Sequence, residues 1–230
     1  MPKRYAIYYA PERNSMLDVF GKRWVGRCAE TGKSLDQPQF PGISPEVVYE
    51  NTRSPRHYGF HGTLVPPFEL KEGFCGHQLI EHAEKLARSQ STFVMEPLSV
   101  MEIGSFIALV PAGQDTLARL AEASLRWLEP FRQQPSLAEL ERRRAKGLTP
   151  TQERFLVNWG YPYVLEEFRF HLTLTDSIRD KPTRKKLFKL TVNHAAAVTQ
   201  LIHPVRELCV FRQENRESSF ILIHRAQLGT

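Results

Sequence analysis

The chain has 230 residues, of which 41% are hydrophobic and 24% are charged, and its formal net charge is +6. This composition is close to that of soluble globular proteins, so it excludes an intrinsically disordered chain and allows a core that needs no disulfides or metals. A sequence pI near 9.3 favours an anionic partner, without separating a nucleic acid from a small phosphate ester.

The first half of the chain alternates predicted strands and helices. Residues 4–10 predict a strand that ends at Pro11, and residues 14–30 predict a helix with Ser15 as its N-cap. Residues 31–56 predict a long loop with one short helix at 44–50. The next predicted elements are a strand at 58–66 that Pro66 and Pro67 break, a helix at 74–90, strands at 92–103 and 106–111, and a helix at 114–133.

The second half repeats part of this order. A charged helical stretch at 136–158 is predicted to be an insertion or a long connection. The elements predicted after it are a strand at 166–178, a helix at 182–197, a strand at 200–212, a turn around Asn215 and a strand at 219–224.

The order of strand with His-x-Thr, helix, strand, turn and strand therefore occurs twice. The two histidines, His61 and His171, are 110 residues apart, and the closing strands, which begin at Phe106 and Phe220, are 114 apart. This nearly constant offset predicts an internal duplication within one domain that covers residues 1–230. The predicted repeats span about 58–133 and 168–226.

Three cysteines occur in the chain, Cys28, Cys75 and Cys209. Their odd number and wide spacing argue against a disulfide framework and a paired zinc-ligand motif, so a reducing compartment fits best. The N-terminal apolar run is too short for a signal peptide, and no run reaches the roughly 18 apolar residues of a membrane span. We therefore expect a cytoplasmic protein with no membrane partner.

The motifs "HGTL" at 61–64 and "HLTL" at 171–174 permit a specific chemistry. Side chains alternate along a strand, so the histidine and the threonine of each motif share one face. One imidazole can accept a proton from water while the other donates a proton to a leaving oxygen, and a threonine hydroxyl can donate to a phosphoryl oxygen. If the repeats face one cleft, the pair suits attack at phosphorus. Core packing is the alternative role for such a histidine.

Two such motifs on matching strands resemble the paired His-x-Thr/Ser signature of the 2H phosphoesterase superfamily. The string "SPRHYGFHGTLVPPFEL" also resembles the branch whose genes accompany phosphonate-utilisation operons. The resemblance implies a bilobal, duplicated α+β fold of two antiparallel sheets with flanking helices around a central groove. It implies that His61 and His171 are the catalytic pair, and that the substrates are cyclic phosphates such as 2′,3′-cyclic nucleotides. It also implies that Thr63 and Thr173 bind phosphate.

Three further residues are candidates for substrate binding because of their proximity and charge. Arg169 shares the face of the second histidine and could pair with a phosphate oxygen, or it could be a surface arginine beside Glu166 and Glu167. Arg56 and Tyr58 stand at the entrance of the first motif strand.

Other common catalytic signatures do not occur in the sequence. It has no HExxH, CxxC, Gly-rich phosphate loop or GxSxG elbow. Zinc-hydrolase, P-loop and serine-hydrolase chemistry are therefore disfavoured, and we expect no metal and no cofactor.

We expect a metal-independent phosphoesterase, a hydrolase of the cyclic phosphodiesterase type, in phosphonate metabolism. Its predicted substrate is a cyclic phosphodiester of a small ribose-type sugar or nucleotide, ahead of an RNA end. The alternative is a non-catalytic nucleotide- or RNA-binding module that uses the same groove, with the basic runs at 141–146 and 179–189 as its footprint. A structural partner of operon enzymes is a third interpretation. The sequence does not give the oligomeric state, the acid and base roles, or the regiochemistry of ring opening.

Overall fold

The computed structural model describes residues 2–145 and 147–230. The strands in these residues are β1 (Arg4–Tyr9), β2 (Gly62–Glu69), β3 (Phe93–Met95), β4 (Leu98–Ile103), β5 (Phe106–Pro111), β6 (Leu172–Thr173), β7 (His203–Val205), β8 (Glu207–Gln213) and β9 (Ile221–Gln227). The α-helices are α1 (Met16–Val25), α2 (Pro45–Glu50), α3 (Arg53–Tyr58), α4 (Gly76–Arg88), α5 (Asp115–Leu128), α6 (Leu137–Arg144), α7 (Pro150–Trp159) and α8 (Lys181–Thr199).

Within the described part of the chain, seven strands form one antiparallel sheet in the order β4, β5, β6, β2, β1, β8, β9. Strands β3 and β7 form a second, two-stranded antiparallel sheet. The predicted α+β class with two antiparallel sheets is confirmed, although the strands are divided unequally between them. The pairings of β2 with β6 and of β3 with β7 join the two predicted repeats. Their origin by duplication stays a prediction.

The two faces of the large sheet carry different residues. Helices α4, α5 and α8 pack on one face, where Ile7, Leu64 and Leu172 belong to the main core. A smaller apolar cluster that includes Tyr8 and Phe211 lies on the opposite face. Because side chains alternate along a strand, the motif histidines and threonines lie on this second face.

Helix ends follow local sequence signals. The predicted N-cap of α1 is confirmed, since the Ser15 hydroxyl accepts a hydrogen bond from the Asp18 backbone N–H at 3.2 Å. The charged stretch at 136–158 forms two helices, because Ser136 and Thr149 each cap a separate one. No helix of residues 2–145 and 147–230 is long and apolar enough to cross a membrane.

The predicted bounds of the first motif strand are wrong at both ends. Residues 53–58 form α3, and Gly59 follows it with a φ of 82°, so β2 begins only at Gly62. The two prolines do not break the strand, which continues to Glu69. The register between β1 and β2 shifts beside the prolines. This irregularity accommodates residues that have no backbone N–H to donate.

The second motif strand is shorter than predicted. Only Leu172–Thr173 is a strand within the expected 166–178. Before it, the Phe170 backbone N–H donates to the Gln114 side chain at 2.7 Å. After it, the Thr175 hydroxyl accepts a hydrogen bond from a β5 backbone N–H at 2.9 Å. Side chains therefore contribute hydrogen bonds at both ends, and the backbone N–H groups of Leu174 and Thr175 both donate to the Ile107 carbonyl oxygen. The strands predicted at 92–103 and 200–212 are each divided into two.

Candidate active site

The two His-x-Thr motifs meet where β2 pairs with β6. The antiparallel register pairs their middle residues, Gly62 and Leu172. Each histidine is therefore opposite the threonine of the other motif, on the face away from the main core. Diagonal neighbours across such a pair are about 7–8 Å apart. His61 and His171 form such a diagonal pair.

Close packing explains why the first motif has glycine in the middle. A Cβ at Gly62 would lie 2.2 Å from the ring atom Cζ of Phe170. Phe170 is buried in the main core, where its ring centroid is 5.9 Å from that of Tyr9. Because this ring has little freedom to move, a larger residue than glycine would push β2 and β6 apart.

Both imidazoles are oriented by the same local contact. Nδ1 of His61 lies 2.7 Å from the Gly59 carbonyl oxygen, and Nδ1 of His171 lies 2.8 Å from the Arg169 carbonyl oxygen. A carbonyl oxygen only accepts, so we assign the hydrogen of each neutral ring to Nδ1. Each Nε2 then carries the lone pair of its ring, and that of His61 accepts a hydrogen bond from the Thr63 hydroxyl. Nε2 of His61 lies 3.3 Å from Oγ1 of Thr63.

Burial lowers the pKa of both histidines. The pKa of His61 falls to about 4, because burial and the nearby charge of His171 outweigh the hydrogen bond to Gly59. Burial also lowers the pKa of His171, against the effect of its hydrogen bond to Arg169. Both imidazoles are therefore neutral at pH 7 in the free protein. A bound phosphate anion would favour the protonated form.

Tyr8 is a residue of the site that the sequence analysis missed. Its ring stacks on that of His61, with centroids 3.8 Å apart and planes inclined by 22°. Tyr8 pairs with Thr63 across β1 and β2. Burial raises the pKa of Tyr8 well above its ordinary value, so the phenol stays neutral. The stacked ring holds the plane of the imidazole. The alternation in "RYAIYY" predicts which face of the strand this tyrosine is on. It does not predict that β1 pairs with β2.

His61, Thr63 and Thr173 line a cavity of about 330 Å³. The other lining residues include Arg4, Tyr8, Tyr58, Arg142, Arg143 and Tyr161. His171 is not one of the lining residues, and its ring centroid is 5.5 Å from that of Phe106 on β5. Small-molecule sites have volumes of about 300–1,000 Å³. The cavity therefore suits a ligand of the size of a sugar phosphate.

Most of the chain matches a known protein family. Residues 63–221 match the family described as "Protein of unknown function (DUF1045)". The chain belongs to the DUF1045 family. The matched range includes Thr63, His171, Thr173 and α6, and it begins two residues after His61.

Two curated relatives of this DUF1045 chain are named "Ribose 1,5-bisphosphate phosphokinase PhnN". The one from Janthinobacterium sp. (strain Marseille) is 33% identical over 222 residues, which are 95% of this chain and 49% of the relative. The one from Laribacter hongkongensis (strain HLHK9) is 30% identical over 220 residues, which are 95% of this chain and 50% of the relative. The chain thus spans about half the length of the curated relatives it matches.

Two solved structures also resemble this DUF1045 chain. They are described as "Crystal structure of phosphoesterase" and "Crystal structure of E.coli LigT in apo form". Each has a TM-score of 0.45 and 12% sequence identity. The alignments cover 100% of this chain, and 100% and 99% of the two solved chains.

The three residues added for their proximity and charge have different positions. Tyr58, the last residue of α3, lines the cavity. Arg56 does not line it, and its guanidinium lies 3.6 Å from the ring centroid of Tyr49. Arg169 is exposed and donates to two backbone carbonyl oxygens of its own segment. The structure thus brings Tyr58 to the site and gives no support for the two arginines as substrate ligands.

Helix α6 brings part of a predicted basic run to the same cavity. Arg142 and Arg143 line it, whereas Arg144 pairs with two glutamates instead. Lys146, the last residue of that run, lies outside the described residues. The other basic run, at 179–189, does not contribute to the cavity lining. The charge pattern predicted a basic run in this helix. The sequence of one helix does not show which other elements its basic side chains contact.

Acid should destabilise the protein through His61. An unfolded histidine has a pKa near 6.5, whereas burial holds that of folded His61 at about 4. Between these values the unfolded state binds more protons, so stability that is present above about pH 6.5 is lost as the pH falls toward 4. We expect a loss of about 1–3 kcal/mol, which allows for partial solvent screening.

Thermal melts at about pH 7.5 and about pH 4.5 measure this loss. His61→Gln should reduce the difference between the two melts because the variant no longer titrates at this position. His77→Gln is the control, since His77 is exposed on α4. An equal difference in wild type and in His61→Gln would contradict the prediction.

Proposed function

We propose that this DUF1045 chain is a phosphoesterase that opens a cyclic phosphodiester of a ribose-type sugar or nucleotide by two-histidine acid/base catalysis. The register of β2 and β6, which pairs Gly62 with Leu172, carries the proposal, and the cavity that His61, Thr63 and Thr173 line supports it. A histidine kept only for packing needs no second histidine with the same Nδ1 contact on the neighbouring strand.

The proposed reaction needs one proton to be accepted and one to be donated. One imidazole accepts a proton at Nε2 from water while the water oxygen attacks phosphorus. The bond between phosphorus and one ring oxygen breaks, and that oxygen takes a proton from Nε2 of the other imidazole, which enters the step protonated. The product is an acyclic phosphate monoester with a free hydroxyl. Proton exchange with solvent then restores both histidines.

The threonines are proposed to stabilise the charge on the phosphoryl group. Thr63 and Thr173 line the cavity on the histidine face, where their hydroxyls can donate to the non-bridging oxygens. Donors that are already oriented toward developing charge lower the barrier without reorganisation. Tyr8 acts as a positioning residue, because its ring stacks on His61.

The proposed substrate class is a phosphorylated ribose in phosphonate metabolism. The size of the cavity and its arginine side chains support a small anionic ligand. The curated relatives carry a name that refers to ribose 1,5-bisphosphate, and the "SPRHYGFHGTLVPPFEL" string resembles the phosphonate-operon branch.

The proposal is tested with a panel of cyclic ribose and nucleoside phosphates, each incubated with the purified chain and followed by ³¹P NMR. We expect the signal of at least one five-membered cyclic phosphate to be replaced by that of a monoester. Binding of panel members without any conversion would contradict catalysis and favour the nucleotide- or RNA-binding alternative. Steep salt dependence of binding would then identify an RNA ligand.

Activity should survive removal of divalent metals, because the proposed mechanism assigns both histidines to proton transfer. The same conversion is measured before and after dialysis against excess EDTA. We expect rates equal within about twofold. Loss of activity on chelation, with recovery when Mg²⁺, Mn²⁺ or Zn²⁺ is added back, would replace the acid/base mechanism by a metal mechanism.

A further inference from the structure

Four arginines lie beside the candidate site, and we name them the arginine cluster: Arg4 from β1, Arg142 and Arg143 from α6, and Arg216 from the turn between β8 and β9. Three of them, Arg4, Arg142 and Arg143, line the cavity that contains His61. Arg4, Arg143 and Arg216 line an adjoining cavity of about 130 Å³, together with Arg132, whose charge Glu129 balances. The cluster therefore connects the two cavities.

The arginine cluster carries more positive than negative charge. Glu139 lies 2.7 Å from Arg143. The same carboxylate lies 3.4 Å from Arg142 and from Arg216. Glu69 lies 3.2 Å from Arg216. Three guanidinium groups thus share two carboxylates, and that of Arg4 donates to Gln213 instead, which leaves a surplus of two positive charges.

Two members of the arginine cluster are in surroundings that disfavour their uncompensated charge. Nε of Arg143 is buried and has no hydrogen-bond partner among the described residues. Its guanidinium lies 4.8 Å from the ring centroid of Tyr161. Burial and the charge of Arg216 lower the pKa of Arg4. Like charges in a partly buried place repel each other, and a bound anion would stabilise them.

We propose that the arginine cluster binds a second phosphate group of the same substrate molecule whose cyclic phosphate lies at the histidines. The substrate class is then a ribose with a cyclic phosphodiester at one end and a phosphate monoester at the other. The position of the cyclic phosphate rests on the proposed function. The anion site is inferred from the arginines alone.

Charge and size favour this occupant. A phosphate monoester carries close to two negative charges near pH 7, which matches the surplus of the cluster. Arg4 and Arg143 line both cavities, so one small molecule can reach the threonines and the cluster together. A long RNA would need a basic surface that continues outside the cavity, whereas the members of the arginine cluster all line one or both of the two cavities.

Kinetics on a matched pair of compounds test the proposal. The pair is a ribose cyclic phosphate without and with a phosphate on the 5-hydroxyl. We expect wild type to have a kcat/KM about 100-fold higher for the 5-phosphorylated compound. Arg143→Gln should lower the ratio of the two kcat/KM values about 10- to 100-fold. Arg142→Gln, at a more exposed position on α6, should cost about tenfold.

Arg144→Gln is the matched control. It makes the same change of charge on the same helix, but Arg144 pairs with Glu141 and Glu153 and does not line either cavity. It should leave the ratio of the two kcat/KM values unchanged. A ratio near one in wild type, or an equal change of the ratio in Arg143→Gln and Arg144→Gln, would overturn the proposal.

A binding experiment separates this proposal from the proposed function. Calorimetry with ribose 5-phosphate requires no catalysis, and we expect Arg143→Gln to weaken its binding at least tenfold relative to wild type and Arg144→Gln. That result together with no turnover of any cyclic phosphate would support the anion site and reject the proposed reaction. No binding of ribose 5-phosphate to wild type, with salt-dependent binding of single-stranded RNA, would overturn the anion site.

Discussion

Replacing either motif histidine with alanine should lower turnover of a cyclic phosphate by about 10² to 10⁴ per folded molecule. His61 and His171 are assigned the two proton transfers, and alanine has no group for either. The fold should remain, because each imidazole bonds through Nδ1 to a carbonyl oxygen only two residues away. Turnover and melting temperature are measured on the same preparations.

His194 provides the contrast that decides between catalysis and packing. It lies on α8 with its ring centroid 5.5 Å from Phe20 and 5.3 Å from Phe40, and it does not line the cavity. His194→Ala should cost stability and leave turnover per folded molecule unchanged. If His61→Ala follows the same pattern, its histidine is a packing residue and the catalytic assignment is wrong.

The two histidines should also be strongly non-additive. The double variant His61→Ala, His171→Ala should be little slower than either single variant, because groups that act in one step lose their effect together. If the turnover loss of the double variant equals the product of the two single-variant losses, the histidines contribute independently. The two-histidine mechanism would then be rejected even if each single variant is slow.

Thr63→Val and Thr173→Val should each reduce turnover by about 10², with smaller changes in stability. Valine keeps the shape of threonine and removes the hydroxyl, so one donor to the phosphoryl oxygens is lost in each variant. The reduction should be mainly in kcat if the donor stabilises the transition state. Steady-state kinetics on the best cyclic phosphate of the panel measure it.

Thr175 is the matched control for these variants. It follows the second motif in sequence, but it is buried, and its hydroxyl accepts from a backbone N–H of β5 and donates to the Asp176 carbonyl oxygen. Thr175→Val should destabilise the protein by about 1–3 kcal/mol, because it leaves buried backbone groups unpaired. Its turnover per folded molecule should not change. Equal kinetic losses at Thr173 and Thr175 would contradict the phosphate-binding assignment.

Local sequence patterns were sufficient for much of the fold. The N-cap at Ser15, the strand β1 before it and the long α8 follow from capping, alternation and helical spacing over a few residues. The bounds of β6 did not follow from its pattern. Its ends are set by Gln114 and by the partner of Thr175 on β5, more than 50 residues away in sequence.

The candidate site was likewise predictable from local patterns only in part. Pattern and resemblance indicated the two histidines and two threonines, because each pair lies within three residues of sequence. The stacking of Tyr8 on His61 depends on β1 pairing with β2, and the arrival of Arg143 depends on where α6 packs. Strand neighbours and helix docking are set by long-range packing, which a local pattern does not specify.

Hydrolysis in water enriched in ¹⁸O tests the central claim most directly. The wild-type chain converts its best cyclic phosphate in H₂¹⁸O, and the product is examined by ³¹P NMR and mass spectrometry. Attack of water at phosphorus should place one ¹⁸O in the phosphate group of the monoester, and the double histidine variant should form almost none of this product. A label on the sugar hydroxyl, or no conversion of any cyclic phosphate in the panel, would contradict two-histidine attack at phosphorus.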